Sequence, residues 1–110
     1  TKKGSTAATS VITAGEMGAE FGSVATLLQF SSAFCAPCRT TKVLLSEVAK
    51  AEEGVVHVVL DAESHLELVR RLKIISTPTT LILDSNGVEV GRAVGAPRRE
   101  QVAAALHALK

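Results

Sequence analysis

A length of 110 residues suits one domain, and a hydrophobic content of 46% supplies a core without the help of a metal or several disulfides. A net charge of +1 and an aromatic content of 3% leave no basic stripe or aromatic platform, so nucleic-acid binding is not expected. No apolar run approaches the ~20 residues that a membrane-spanning helix needs.

The N-terminal region is predicted to hold a flexible tail and a short helix. Residues 1–10 are small and polar, so we expect them to be mobile. Residues 11–12 fit a minimal strand. Thr13 and Glu16 have the spacing of a capping box, which predicts a weak helix that stops at Gly22.

A strand, a long helix and a second strand form the centre of the chain. Residues 25–30 are a nearly continuous apolar run, which is typical of a strand covered on both faces. A helical pattern follows over residues 39–51, and residues 55–60 read as a second buried strand. This order indicates a βαβ unit with parallel strands and a right-handed crossover. The predicted inward residues of the helix are Val43, Leu44, Leu45 and Val48.

The second half of the chain is predicted to add a helix, a hairpin and a final helix. A capping-box spacing over residues 64–67 opens the helix, and residues 79–83 form a third strand. A turn at residues 84–87 returns residues 88–94 antiparallel, with a bulge or close approach at Gly91. The predicted inward residues of the two helices are Leu66, Val69 and Leu72, and then Val102, Leu106 and Leu109.

These elements predict an α/β fold in a single domain over residues 11–110. The sheet is central and mixed, with four or five strands. Helices are expected on both of its faces.

The two cysteines, in the sequence Cys35-Ala36-Pro37-Cys38, fall where the first strand ends and the long helix begins. Backbone N–H groups at a helix start lack intrahelical partners and the helix dipole is positive there, so a thiolate at Cys35 would be stabilised. Cys38 lies three residues later on the same face, and the pair can therefore close a small disulfide ring. Pro37 suits the first helical turn and stiffens the loop. The arrangement indicates an attacking thiolate at Cys35 and a resolving thiol at Cys38.

A Cys-x-x-Cys also occurs in metal sites and in structural disulfides. A tetrahedral zinc site needs four ligands, and none of His57, His65 and His107 has ligand spacing to the cysteines. A metal site would therefore be shared between two chains that contribute four cysteines. A structural disulfide across so short a loop would add little stability. Both alternatives stay open, although thiol–disulfide exchange is favoured.

The sequence around the cysteines resembles the active site of the thioredoxin family. Residues 34–39, Phe-Cys-Ala-Pro-Cys-Arg, resemble the thioredoxin sequence Trp-Cys-Gly-Pro-Cys-Lys/Arg. Residues 77–79, Thr-Pro-Thr, resemble the loop that carries the cis-proline of thioredoxins. Residues 84–88 resemble their β-hairpin, and residues 94–96 the loop after it. The match runs from about residue 25 to the C-terminus at close to plain thioredoxin spacing, which implies the thioredoxin fold.

The resemblance implies a role for each matching residue. Cys35 would be the nucleophile and Cys38 the buried resolving thiol. Pro78 would be cis beside the disulfide, and the exposed backbone of Thr77 would pair with an extended substrate like an added strand. The supporting positions are Gly95 in the substrate groove, Phe34 at its apolar rim, and Ala36 and Pro37 between the cysteines.

Several positions depart from the family pattern, among them Phe34 in place of Trp and Ala36 in place of Gly. Thioredoxins usually have a buried Asp six residues before the first Cys, where this chain has Gln29. Since Gln cannot titrate, the proton route of the buried thiol is expected to differ, with a water path or His57 in place of the carboxylate. His57 falls near the position of a family Lys that interacts with that Asp. Thr77 replaces the more usual Ile before the proline, which would place a hydroxyl near the sulfurs.

The motif and the resemblance predict a thiol–disulfide oxidoreductase that reduces protein disulfides and needs no cofactor beyond the Cys35–Cys38 pair. Ala-Pro between the cysteines resembles the Gly-Pro of reductants more than the Pro-His of oxidants. Expected partners are disulfide-containing proteins and a thioredoxin-reductase-like flavoprotein or a membrane electron donor. We expect a cytoplasmic monomer. The alternative is an extracytoplasmic or membrane-tethered domain with isomerase or oxidant duty, because the chain begins at Thr1 with a linker-like segment.

Overall fold

The structure is a computed structural model that describes residues 10–110. Residues 1–9 of the predicted tail lie outside the described residues. None of the helices in residues 10–110 has the length and apolar character needed to cross a membrane. The elements in chain order are α1 (Ala14–Met17), β1 (Ala25–Ser31), α2 (Ala36–Ala51), β2 (Val55–Asp61), a 3₁₀ turn (Ala62–Ser64), α3 (Leu66–Arg71), β3 (Thr79–Asp84), β4 (Glu89–Val94) and α4 (Arg99–His107).

The four strands form one mixed sheet in the order β2-β1-β3-β4. β1 pairs parallel with β2 and antiparallel with β3, and β4 pairs antiparallel with β3. Because α2 connects the two parallel strands, the predicted βαβ unit and the α/β fold class are confirmed, with four strands in the sheet. The strand predicted at residues 11–12 is reduced to an isolated bridge between Val11 and Val88.

Helices cover both faces of the sheet, as predicted. Side chains alternate along β1, so Leu27 packs under α2 and α4 whereas Leu28 and Phe30 pack toward α1 and α3. Gln29 therefore shares the α2 side of the sheet with Leu27. The core on that side contains Ala25, Leu27, Leu45, Val48, Val55, Ile82, Val102 and Leu106.

α2 begins at Ala36, three residues before the predicted start of the helical pattern. Pro37 lies in the first turn, and the Cys35 sulfur accepts the backbone N–H of Cys38 as a side-chain cap. The cysteine motif therefore initiates the helix rather than preceding it. The predicted inward position of Val43 is wrong, since this side chain is 60% exposed. The buried residues of α2 are Cys38, Thr41, Leu45 and Val48.

α1 is a single turn. The predicted capping box between Thr13 and Glu16 is confirmed in both of its hydrogen bonds. The helix ends at Gly18, not at the predicted Gly22, because Gly18 adopts a left-handed conformation with φ of 73°.

α3 begins differently from the prediction. The Ser64 hydroxyl donates to the Asp61 carboxylate within the 3₁₀ turn, so His65 becomes the N-cap, without a side-chain capping bond. The capping box predicted over residues 64–67 is therefore wrong. The predicted inward position of Leu66 is also wrong, since this side chain is 60% exposed and Leu68 is buried.

The C-terminal hairpin and helix follow the predicted pattern. A register shift between Ile82 and Leu83 leaves one extra residue in β4 beside Gly91, which confirms a bulge there. Val102 and Leu106 of α4 are buried as expected. The hairpin and α4 thus complete the core on the α2 side of the sheet.

Candidate active site

The two cysteines lie at the carboxyl end of β1, joined by a disulfide bond with a Cα–Cα distance of 5.2 Å. Cys38 is 2% exposed, whereas Cys35 is only partly buried. The backbone N–H of Cys38 lies 3.2 Å from the Cys35 sulfur and donates to it. Ala36 and Pro37, between the cysteines, are exposed. The outer sulfur is therefore the one that a substrate reaches, and it already has an N–H donor to stabilise a negative charge.

The loop before β3 lies against the outer sulfur. The Thr77–Pro78 peptide bond is cis, as the resemblance implies, and Pro78 is buried. The carbonyl oxygen of Thr77 lies 4.0 Å from the Cys35 sulfur. Within residues 10–110, neither the N–H nor the C=O of Thr77 bonds to another backbone group. These two groups are available to pair with an extended peptide.

Two further contacts tie this loop to its neighbours. The hydroxyls of Ser32 and Thr77 are 2.8 Å apart and share a hydrogen bond. The backbone N–H of Gly95 donates to the carbonyl of Pro78 over 2.8 Å, and Gly95 adopts φ of 84°. The three loops that surround the disulfide are thus linked to one another. The sequence analysis did not identify Ser32, which could have been found by its position three residues before Cys35.

Exposed apolar side chains border these loops. Phe34, next to Cys35, is fully exposed and adopts a left-handed conformation with φ of 58°. Ile75, two residues before Thr77, is 93% exposed, and Val94 is 70% exposed. Ile75 was also missed by the sequence analysis, although its place just before Thr77-Pro78 was a usable signal. Such exposure beside a reactive sulfur favours contact with apolar parts of a partner.

Gln29 connects the buried cysteine to His57. Its side chain is fully buried, and its amide nitrogen donates to the carbonyl oxygen of Cys38 over 2.9 Å. The Gln29 amide oxygen lies 3.0 Å from Nε2 of His57. Since an amide oxygen only accepts, Nε2 of His57 carries a proton and Nδ1 of the neutral ring is unprotonated. Burial, together with the positive charge of Lys42, lowers the pKa of His57.

The arrangement can carry out thiol–disulfide exchange. The partly exposed Cys35 sulfur, which accepts an N–H, lies beside the backbone groups of Thr77, which have no backbone partner within residues 10–110. The second sulfur is buried and bonded to the first. Within the described part of the chain, no three His, Cys, Asp or Glu side chains cluster in a way that could hold a metal ion.

Comparisons with known proteins agree with this geometry. A family described as a thioredoxin-like domain matches residues 19–110. The chain is 34% identical over 67 residues to a thioredoxin of Echinococcus granulosus, which covers 61% of this chain and 62% of that protein. It is also 34% identical over 71 residues to a bifunctional thioredoxin reductase/thioredoxin of Mycobacterium leprae, which covers 64% of this chain and 15% of that protein. The chain therefore spans less than two thirds of either relative.

A comparison with solved structures also finds a similarity to a thioredoxin. Thioredoxin f from spinach chloroplast has a TM-score of 0.68 and is 27% identical, with 80% of this chain and 78% of that chain covered.

Proposed function

Because this chain belongs to the thioredoxin-like domain family, we propose that it reduces disulfide bonds in other proteins through Cys35 and Cys38. The Cys35 thiolate attacks a substrate disulfide and forms a mixed disulfide, and one substrate sulfur leaves as a thiolate. Cys38 then attacks the Cys35 sulfur, so the second substrate thiol is released and the observed Cys35–Cys38 disulfide forms.

The observation that carries this proposal is the unequal environment of the two sulfurs. Cys35 is partly exposed and accepts the N–H of Cys38 at the start of α2, whereas Cys38 is almost fully buried. The first environment suits a nucleophile, and the second suits a thiol that reacts only within the protein.

The direction of the reaction is proposed from the residues between the sulfurs. Ala36-Pro37 resembles the Gly-Pro of thioredoxin-type reductants, and it contains no histidine of the kind found in oxidants. The redox-active cysteine pair would serve without a metal or organic cofactor.

The proposed partners are disulfide-containing proteins and an electron donor similar to thioredoxin reductase. One relative carries both thioredoxin reductase and thioredoxin in its name, which supports such a donor. The unpaired backbone of Thr77 and the exposed Phe34 and Ile75 suit an extended peptide with apolar side chains. We propose a monomer that acts in the cytoplasm, and we keep an extracytoplasmic role in isomerisation or oxidation as the alternative.

The deciding experiment is the reduction potential of the Cys35–Cys38 pair, measured by equilibration with dithiothreitol or glutathione buffers. We expect a value near that of thioredoxin, about −270 mV. A value of about −180 to −120 mV would overturn the proposed direction and favour isomerase or oxidant duty. If the pair forms no disulfide and purifies with a metal shared between two chains, the redox function itself is wrong. Cys35→Ser, which cannot form the disulfide, is the control.

A further inference from the structure

Three positively charged side chains near the disulfide lack the ion pairs that other cations of the protein form. Within residues 10–110, the cations that pair with carboxylates are Arg71 with Glu16, Arg92 with Glu89, Arg99 with Glu47 and Lys110 with Glu52. Arg39, Lys73 and Arg98 are exposed and take part in none of these pairs. These three residues are called the basic rim below. In the described part of the chain, no carboxylate neutralises them.

Arg98 lies where the loop after β4 leads into α4. The N–H of Gly95 bonds to the carbonyl of Pro78 beside the disulfide, and Arg98 follows Gly95 by three residues. Three residues span at most about 11 Å, so the Arg98 backbone stays within that distance of the Gly95 loop. Arg98 also precedes the buried Val102 by four residues, which places it on the side of α4 that faces the sheet. Arg98 is therefore at the disulfide end of α4, on its inward side.

The other two residues of the basic rim border the same site. The backbone N–H of Arg39 donates to the carbonyl of Cys35 over 3.2 Å, in the first turn of α2. Lys73 lies four residues before Thr77 on the loop that leads to β3, a span of at most about 14 Å. The screening length of charges in water is about 10 Å at 0.1 M ionic strength and about 30 Å at 0.01 M. A charged ligand held at Thr77 is therefore within the field of the basic rim.

The carboxylates near the site lie elsewhere. Asp61 ends β2 and Glu63 follows it, and β1 separates this strand from β3 in the sheet. The Asp61 carboxylate already accepts the backbone N–H of Glu63. Glu100 of α4 is only two residues from Arg98, and side chains with this spacing do not face each other on a helix. The surroundings of the disulfide are therefore basic toward β3 and β4 and acidic toward β2.

We propose that the basic rim selects extended, disulfide-containing segments that carry acidic residues beside their cysteine. This inference rests on the proposed function, since it names a substrate class for the same cysteine pair. The backbone of Thr77 pairs with the segment and Cys35 attacks its disulfide, while Lys73 and Arg98 attract its carboxylates. Complementary charges mainly accelerate the encounter of two molecules, so the second-order rate constant of reduction is the quantity to measure.

The first test compares two matched peptides in the wild-type protein. Each peptide is a disulfide-linked dimer through a single cysteine, flanked on both sides by Glu in one peptide and by Lys in the other. The pre-reduced protein is mixed with each peptide, and the ratio of the Glu-peptide rate to the Lys-peptide rate is recorded. We expect this ratio to fall at least about fivefold between about 0.01 M and about 0.5 M salt, because salt screens the attraction. A ratio that rises or stays constant with salt would overturn the proposal.

The second test uses variants at about 0.1 M ionic strength. The intrinsic reactivity of each peptide is the same with every protein, so a change in the ratio between proteins isolates the contribution of the replaced charge. We expect Arg98→Gln to lower the ratio about threefold and the double variant Lys73→Gln/Arg98→Gln to lower it about tenfold. Arg98→Lys keeps the charge and should keep the wild-type ratio.

The matched control is Lys50→Gln. Lys50 is exposed in the last turn of α2, twelve residues after Cys38, which is about 18 Å along the helix axis. This variant should keep the wild-type ratio. An unchanged ratio in the double variant, or an equal fall in Lys50→Gln, would overturn the role of the basic rim while leaving the proposed function intact. Failure of the reduced wild-type protein to reduce either peptide would instead contradict the proposed function.

Discussion

At the scale of single residues, the hydroxyl pair of Ser32 and Thr77 holds together the loops on either side of the disulfide. Ser32 follows β1, and Thr77 supplies the backbone groups that an extended substrate would use. Neither hydroxyl has a redox role. Their hydrogen bond fixes where the Thr77 carbonyl stands relative to the Cys35 sulfur.

Replacing Thr77 by Val removes this hydrogen bond with little change in shape. We expect kcat/KM for reduction of a protein disulfide to fall about threefold to tenfold, which corresponds to a loss of about 0.5–1.5 kcal/mol for one hydrogen bond. Thr77→Ser keeps the hydroxyl and should retain near-wild-type kcat/KM. An equal loss in Thr77→Ser, which retains the hydroxyl, would show that the effect does not come from the hydrogen bond.

His57 should also make the free energy of unfolding depend on pH. Burial lowers its pKa in the folded protein, so the unfolded chain binds a proton more readily. The stability linked to neutral His57 is fully present above its unfolded pKa of about 6.5 and is lost as pH falls toward the lower folded pKa.

Urea unfolding of the wild type and of His57→Gln, from about pH 8 to about pH 5, measures this dependence. The wild type should lose stability below about pH 6.5 relative to the variant, with a slope of at most about 1.4 kcal/mol per pH unit for one proton. Parallel curves for the two proteins would mean that His57 titrates alike in the folded and unfolded states.

At the scale of secondary-structure elements, one ion pair joins the two helices on the face opposite α2. Glu16 of α1 completes the capping box with Thr13 and also bonds to Arg71 of α3, whose guanidinium reaches the carbonyl of Val11. The Arg71 bond and the backbone N–H of Thr13 together lower the pKa of Glu16 to about 2. The Glu16 side chain therefore caps the start of α1 and also holds α1 against α3.

Glu16→Gln removes the charge but keeps an oxygen to accept the Thr13 N–H. We expect a loss of about 0.5–1 kcal/mol in the free energy of unfolding near neutral pH, a figure already reduced for solvent screening. Since the folded pKa of Glu16 is lowered, the difference from wild type should be full above about pH 4.5 and disappear as pH falls toward 2. Urea unfolding at several pH values measures it. Glu47→Gln, in the exposed pair with Arg99, is the control and should change little.

The sequence predicted the elements better than it predicted which way their side chains face. The apolar run at residues 43–45 suggested an inward face for α2, but the buried stripe passes through Cys38, Thr41 and Leu45. Thr41 is polar, so hydrophobic periodicity could not detect it, and the burial of Cys38 was expected only from the resemblance to the family. In α3, likewise, Leu68 is buried in place of the predicted Leu66. The placement of Cys35 and Cys38 at the start of a helix was predictable from the motif, and that of Pro78 beside them from the resemblance to the family. The Ser32–Thr77 contact depends on two loops that only the fold brings together.

At the scale of the whole molecule, the sheet and α2 hold one sulfur outward and the other inward. β1 is buried on both faces and ends at Ser31, one short loop before the motif, while α2 starts within the motif. The sheet and α2 therefore give two cysteines different roles, so that Cys35 attacks the substrate and Cys38 resolves the mixed disulfide. Exchanging their roles would require Cys38, now 2% exposed, to leave the core.

This division predicts opposite outcomes for the two single cysteine variants. Cys38→Ser keeps the exposed sulfur but cannot resolve the mixed disulfide, so a disulfide-containing peptide should remain covalently attached at Cys35 and be visible by intact mass. Cys35→Ser keeps only the buried thiol, and its reaction with the same peptide should be at least about tenfold slower. Unfolding both variants in urea provides the control, because the two thiols should then react at similar rates. A stable adduct in folded Cys35→Ser, at the rate seen for Cys38→Ser, would show that burial does not determine which sulfur attacks.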